Sequence, residues 1–266
     1  MITHGLPKAA AMDAVRRQWE VCEKAGATPA VIAIFDGELR VGLTLDECAS
    51  LAGRADAVKV SPWNLAAAMV KPGFGGTTVA ATVVAAARAG IRVVSTGGIG
   101  GVHPGDGQDV SSDLTELGRR PVCVVCAGPK STLDVRATLE RLETLGVPVI
   151  GWQSSLLAGF LATSAGPRLS VRVETVDDLA SIVSRHWELG GAGVVISQPL
   201  LGDLALPASE LAGVETTGAR GPDRTPAELS QLQARLGDRV IRANVALLER
   251  NAALGALVAL ALNSRG

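Results

Sequence analysis

Reactive side chains in this chain collect just after apolar runs. Lys130 follows PVCVVC in the turn AGPKS, and Lys59 lies near the end of AVKVS. The loop GGIGGVHPGDGQDVSSD carries His103, Asp109, Ser111, Ser112 and Asp113, and the turn SQPLLG spans 197–202. Ligands of open α/β sheets sit beyond the carboxyl ends of the strands, so these four places are where a site is expected. A lysine held in a poorly solvated pocket has a depressed pKa and can attack a carbonyl to form a Schiff base. Lys130 fits that chemistry. It fits equally well a phosphate contact, or a stem packed on a helix with its head in water. Lys59 suits a phosphate or sugar oxygen, or a plain edge position.

Asp109 and Asp113 lie four residues apart around two serines. Asp109 is a candidate ligand for Mg²⁺ or Mn²⁺, and the Ser111 region offers a helix N-terminus to anionic or hydroxyl groups. Ordinary capping of a helix explains the same residues. His103 has no cysteine or histidine neighbours, which favours a loop-packing or surface role over metal ligation. Gly97, Gly98, Gly100 and Gly101 allow close backbone approach to a ligand and unusual φ angles. They form no dinucleotide fingerprint, because no helix opens within the motif.

The elements that must position these groups alternate. Helices are expected over 9–25, from Thr44 to about Leu51, and over 63–70, 77–89, 176–189, 226–236 and 239–262. Shorter ones are expected near Ser111 to Leu117, from about Ser131 to Gly146, and near 155–162. The T-L-D-E at Thr44 is a capping-box signal. Strands are expected at 29–37, 57–61, 91–98, 147–152, 169–174 and 192–199, and at PVCVVCAG, with a glycine-rich link from Gly73 to Gly76. Strand and helix in turn spell a three-layer α/β/α fold with a central, mostly parallel sheet, and residues 1–266 read as a single domain.

Composition narrows the function. The 266 residues are 47% hydrophobic and 19% charged, with Lys+Arg 25 against Asp+Glu 26 and a net charge of -1. Scattered, balanced charge argues against nucleic acid or an anionic membrane as partner. No tyrosine and 3% aromatics leave little for base-stacking platforms. No basic leader precedes a long apolar core, and no charge-free apolar stretch reaches the roughly 18 residues of a span, so a cytoplasmic location is expected. Cys22, Cys48, Cys123 and Cys126 form no dense framework. Cys123 and Cys126 make a C-x-x-C string, but on a strand such residues face opposite sides, which predicts buried small hydrophobes instead of a redox or zinc pair.

The runs GATPAVIAIFDGELRVGLT, KVS, GGTTVAATVVAAARAGIRVVSTGGIGGVH, DVSSDLTELGRRPVCVVCAGPKSTLD and LGVPVIGWQ together resemble the pseudouridine-5'-phosphate glycosidase family. The similarity covers essentially the whole chain and continues to the terminal helix with Asn244 and Asn251. The resemblance implies an α/β/α homotrimer that cleaves the carbon–carbon glycosidic bond of pseudouridine 5'-phosphate, reversibly giving ribose 5-phosphate and uracil. By that resemblance Lys130 attacks C1' of the sugar and Asp109 binds Mn²⁺. Lys59, the Val79 backbone and Ser111 to Asp113 contact the substrate. An adduct of this kind makes C1' an electron sink, which a carbon leaving group requires.

The sequence also departs from the family. A general-acid glutamate in an A-L-E-S-T strand precedes the family's S-H-G-x-P segment, which here is Thr3-His4-Gly5-Leu6-Pro7, and residues 1–12 carry no carboxylate. The expectation is either a start assigned too far downstream or a diverged member without this acid. Pro62, Trp63 and Asn64 replace two arginines and an aspartate after KVS. Pro104 replaces an arginine, Ser155 a lysine, and no arginine stands beside Thr163. Fewer cations imply weaker phosphate binding or a shifted aglycone, with Trp63 available to line a pocket for a larger aromatic partner. Two further expectations follow: a C-glycosylating enzyme joining ribose 5-phosphate to another aromatic acceptor, or a catalytically inactive homologue.

Overall fold

A strand covered by helices on both faces is apolar at every position, and Cys123-Val124-Val125-Cys126 is buried throughout. A computed structural model describes residues 2–211 and 231–265. In chain order the first half contains α1 (Lys8–Ala25), β1 (Ile32–Phe35), β2 (Glu38–Val41), α2 (Leu45–Ala52), β3 (Val58–Val60), α3 (Pro62–Ala68), β4 (Gly75–Thr77) and α4 (Val79–Arg88). Then come β5 (Val93–Ser95), α5 (Ser112–Leu117), β6 (Cys123–Cys126), α6 (Val135–Thr144), β7 (Val149–Trp152), β8 (Val171–Val173), α7 (Val176–Glu188) and β9 (Val194–Ser197). A 3₁₀ turn at Gly202–Leu204, α8 (Ala208–Leu211) and α9 (Asp238–Asn263) complete the described elements.

The architecture is three-layered α/β/α with a largely parallel central sheet. Five parallel strands run in the order β5-β6-β9-β7-β8. Val124 and Cys126 face a core shared with Val83 and Ala86 of α4, Leu114 and Leu117 of α5, and Leu142 of α6. Cys123 and Val125 face the opposite core, built with Leu179 and Val183 of α7 and Leu254 and Val258 of α9. The period of two thus sends the paired cysteines to different layers. By length and apolar composition α9 could cross a membrane, but it packs on α1, α7, β5 and β6 as a core helix.

A second, four-stranded sheet in the order β2-β1-β4-β3 holds the amino-terminal half, with only β3 and β4 parallel. Helix α4 packs against both β1 and β5 and so links the two sheets. Two of these strands differ from the sequence expectation. β2 returns through a hairpin at Asp36-Gly37, whose φ values of 52° and 76° are those a two-residue primed turn requires. β4 occupies part of the expected glycine link, because a Cβ on Gly75 would lie 2.5 Å from Val60 Cγ2 and the two strands could not pair so closely.

Other boundaries moved for local reasons. The capping box at Thr44 forms, with Thr44 N–H donating to Glu47 Oε2 at 2.8 Å and Glu47 N–H donating to Thr44 Oγ1 at 3.2 Å. Helix α6 starts at Val135 instead of Ser131, because Asp134 caps it by accepting from Ala137 N–H at 3.0 Å. No helix forms near 155–162. That segment is a loop held by bridges between Leu156 and Arg168 and between Gly159 and Ala162. Residues 231–236 are helical; the rest of the helix expected from 226, and the polar turn before it, lie outside the described residues.

Burial pushes the Cys126 thiol up to about 12 and raises the Cys123 thiol as well. All four cysteines are free thiols. In the native protein at pH 8, iodoacetamide should therefore leave Cys123 and Cys126 unlabelled, with labelling appearing only on denaturant unfolding. Peptide mass mapping checks this, and rapid native labelling of either residue would contradict the packing described.

Candidate active site

Backbone pairing places Lys130. Past their strand ends the chains of β5 and β6 stay side by side: Ala127 N–H donates to Gly97 O at 2.8 Å, Ile99 N–H to Gly128 O at 3.1 Å, and Lys130 N–H to Ile99 O at 3.1 Å. The lysine is half-buried where this extension ends. Asn251 of α9 supports it from below, donating Nδ2–H to Thr96 O at 2.8 Å.

The glycine loop works through closeness. None of Gly97, Gly98, Gly100 and Gly101 has a positive φ, so unusual backbone angles are not what they provide. A Cβ on Gly98 would lie 2.7 Å from the Phe160 ring and 2.9 Å from Gly128 O, and one on Gly100 would collide with Ser111. The close approach is to the protein's own groups.

Asp113 ties this loop to α4. Its carboxylate accepts from Ala80 N–H at 2.8 Å and Gly100 N–H at 2.7 Å, and the residue is only 4% exposed. Both oxygens are thereby committed to the scaffold. At the start of α4, Thr78 N–H donates to Val60 O and Ala81 N–H to Thr78 Oγ1. Among the described residues, the Val79 N–H is the donor of that first turn not taken up by protein, which suits a ligand oxygen. Ser111 caps α5, its Oγ accepting from Asp113 N–H at 3.2 Å.

These elements enclose a cavity of about 370 Å³ lined by Lys59, Val79, Asp109, Ser111, Ser112, Asp113 and Lys130, within the range of small-molecule sites. Each of these seven is a candidate named from the sequence, and Gly97, Gly98 and Gly100 of the glycine loop line the cavity with them, while Gly101 does not. His103 joins the wall, 8% exposed, with its N–H donating to Asp109 O at 2.9 Å. The SQPLLG turn does not line it. Ser197 is buried, accepts from Ala158 N–H at 3.0 Å, and serves packing.

Several wall residues escaped the reading by motif. Thr3, His4, Thr78, Thr82 and Phe160 all face the cavity. Burial is the main cause that holds the His4 imidazole below its usual pKa, and the Lys59 charge acts in the same direction. Phe160 is 3% exposed with a φ of 60°, a conformation bulky residues avoid. Its N–H donates to Ala127 O at 2.7 Å and its ring covers Gly98, which over-determines the strained backbone. No local pattern announces it; the glycines on the facing loop were the available signal.

The family described as indigoidine synthase A like protein matches residues 1–261. A pseudouridine-5'-phosphate glycosidase of Sorangium cellulosum is 41% identical, covering 100% of this chain and 87% of the relative. One from Staphylococcus aureus is 39% identical over 99% of this chain and 89% of its own length. Among solved structures, an indigoidine synthase A-like protein of Thermotoga maritima superposes with a TM-score of 0.90 at 34% identity, covering 97% of this chain and 89% of that one. The prealnumycin C-glycosynthase AlnA, solved with ribulose 5-phosphate, gives 0.87 at 32% identity, covering 94% and 86%.

Asp113→Ala should orphan the Ala80 and Gly100 donors, at about 1–3 kcal/mol each. Urea unfolding should show that loss, with Asp113→Asn falling between variant and parent because it keeps one acceptor. An unchanged midpoint in the alanine variant would refute the anchoring role.

Proposed function

The chain belongs to the indigoidine synthase A like family, which includes the pseudouridine-5'-phosphate glycosidases, and on that basis we propose that it cleaves pseudouridine 5'-phosphate. The reaction takes up water and releases ribose 5-phosphate and uracil, and it is reversible. The observation that carries this reading is the convergence of Lys130, Lys59 and Asp109 on one cavity beside Val79 at the start of α4.

Lys130 Nζ attacks C1' of the sugar; the C1'–O4' bond breaks and the amine's proton ends on O4'. The nitrogen lone pair then expels the uracil carbon, which takes up a proton as it leaves. Water adds to the resulting C=N bond, and collapse returns the Lys130 amine and the aldehyde of ribose 5-phosphate. Lys59, the Val79 N–H and the hydroxyls of Ser111 and Ser112 bind the phosphorylated sugar, by charge-assisted bonds where Lys59 is the donor. Asp113 contributes by holding the wall in place.

The donor set fits Mn²⁺ in one way. The described residues contain no cluster of three or more His, Cys, Asp or Glu, and Asp113 is committed to backbone donors, which leaves Asp109 as the protein ligand. A hard divalent ion that keeps most of its waters accepts a single carboxylate. Such an ion supplies positive charge to substrate oxygens when bound. Asp109 would hold and orient it. The free thiols accord with a cytoplasmic location, and the assembly we propose is a homotrimer.

A second reading joins ribose 5-phosphate to a different aromatic acceptor. It is favoured by Trp63 in the cavity wall and by the likeness to a C-glycosynthase.

Incubation with pseudouridine 5'-phosphate and Mn²⁺ should release uracil, measured by chromatography. Borohydride added with ribose 5-phosphate should fix one sugar phosphate on Lys130, located by peptide mass. Lys130→Ala should abolish the adduct and lower turnover on the order of 10⁴-fold or more, with little change in unfolding midpoint. A trapped adduct in that variant would overturn the assignment of the nucleophile.

A further inference from the structure

Thr3, Ser61, Thr78, Thr82 and Ser111 bring hydroxyl-bearing side chains suited to a sugar phosphate to the cavity wall. One aromatic side chain in that wall stands open to solvent. Trp63 lines the same cavity and is 76% exposed, whereas Phe160, the other aromatic in the wall, is buried over the glycine loop. The remaining tryptophans do not line this cavity. Trp187 donates Nε1–H to Ala192 O at 2.8 Å and stacks under Arg92 at 4.2 Å, Trp152 packs in the sheet core, and Trp19 donates to Glu23 at 2.9 Å.

The indole is mounted on a rigid base. Pro62 fixes φ at the first position of α3. Asn64 Oδ1 accepts from Ser61 N–H at 2.7 Å, while Asn64 Nδ2–H donates to Lys59 O at 3.1 Å. Ser61 Oγ donates to Thr78 Oγ1 at 3.2 Å, joining this turn to the start of α4. The backbone carrying Trp63 is therefore locked to that of Lys59 and to the helix start proposed to hold the sugar phosphate. A π face so placed repels a phosphate and meets a sugar only through a few C–H groups, whereas a flat aromatic group can cover it ring against ring.

We infer that Trp63 is the specificity-determining platform for the aglycone, and that the site takes planar aglycones of two or more fused aromatic rings in preference to a single pyrimidine. This rests on the lysine chemistry proposed above and names the substrate class of that site. A pyrimidine covers only part of the bicyclic indole face, while a fused system covers it fully and removes more apolar surface from water. In the synthetic direction an electron-rich ring carbon of the aglycone bonds to C1' of ribose 5-phosphate. The aglycone gives up the hydrogen on that carbon and one water leaves, the reverse of the cleavage with the new ring in place of uracil.

The test uses the full chain with ribose 5-phosphate and two probes, 2-naphthol and uracil, titrated by calorimetry. Naphthol should bind about 10-fold or more tightly than uracil. Trp63→Ala should lose about 10-fold in naphthol affinity, the scale of one ring-stacking contact, and Trp63→Phe should restore much of it. Equal binding of both probes, or an alanine variant that alters the oligomer mass while leaving naphthol affinity unchanged, would overturn the platform. Borohydride trapping on Lys130 of the parent separates the two levels: adduct without probe discrimination sinks this inference alone, whereas no adduct sinks the lysine chemistry.

Discussion

Continued hydrogen bonding of the β5 and β6 chains beyond their strand ends is the constraint on which the site depends. A parallel ladder normally dissolves into loops where its strands stop. Here Gly97 to Ile99 and Ala127 to Lys130 keep exchanging backbone bonds, so Lys130 sits at the end of an extended strand pair. A lysine on a mobile turn would spend little time at a reacting distance. One fixed by its own N–H needs only side-chain rotation to reach a carbon in the cavity.

That extension demands small residues and a second anchor. Gly98 leaves room for the Phe160 ring and the Gly128 carbonyl, and Gly100 leaves room for Ser111. The Asp113 carboxylate then clamps the loop to α4 from inside a nearly dry setting, where two donors and one anion satisfy each other. The same clamp fixes the first turn of α4, which brings Val79 to the cavity wall. Loop, helix start and lysine thus form one mechanical unit, with α9 bracing it through Asn251.

Much of this was legible in the residues. The apolar period of PVCVVCAG gave a covered strand and sent its two cysteines to opposite layers, where burial keeps both thiols protonated. The Thr44 capping box appeared where its spacing required. Lys59, Asp109 and Lys130 were singled out because ligands of α/β sheets sit beyond the carboxyl ends of strands. Where the reading failed, contacts distant in sequence were responsible. The expected helix near 155–162 gave way to a loop because Phe160 takes a strained conformation held by Ala127 and the glycine loop. The glycines about Gly75 pair as a strand because Val60 lies against them.

By itself the sequence determined the alternation of elements, the covered parallel sheet and the identity of the charged groups at its edge. Those depend on hydrophobic period and on chemistry carried within a few residues. Only the tertiary structure decided that Asp113, in the cavity wall with Asp109, also holds the Ala80 and Gly100 N–H groups, that the four-stranded sheet is separate from the five-stranded one, and that Trp63 stands exposed in the same wall as Lys59. Those outcomes turn on which backbone donors a carboxylate meets and which ring a neighbour covers. Such partners lie tens of residues away along the chain and become neighbours only when the layers close.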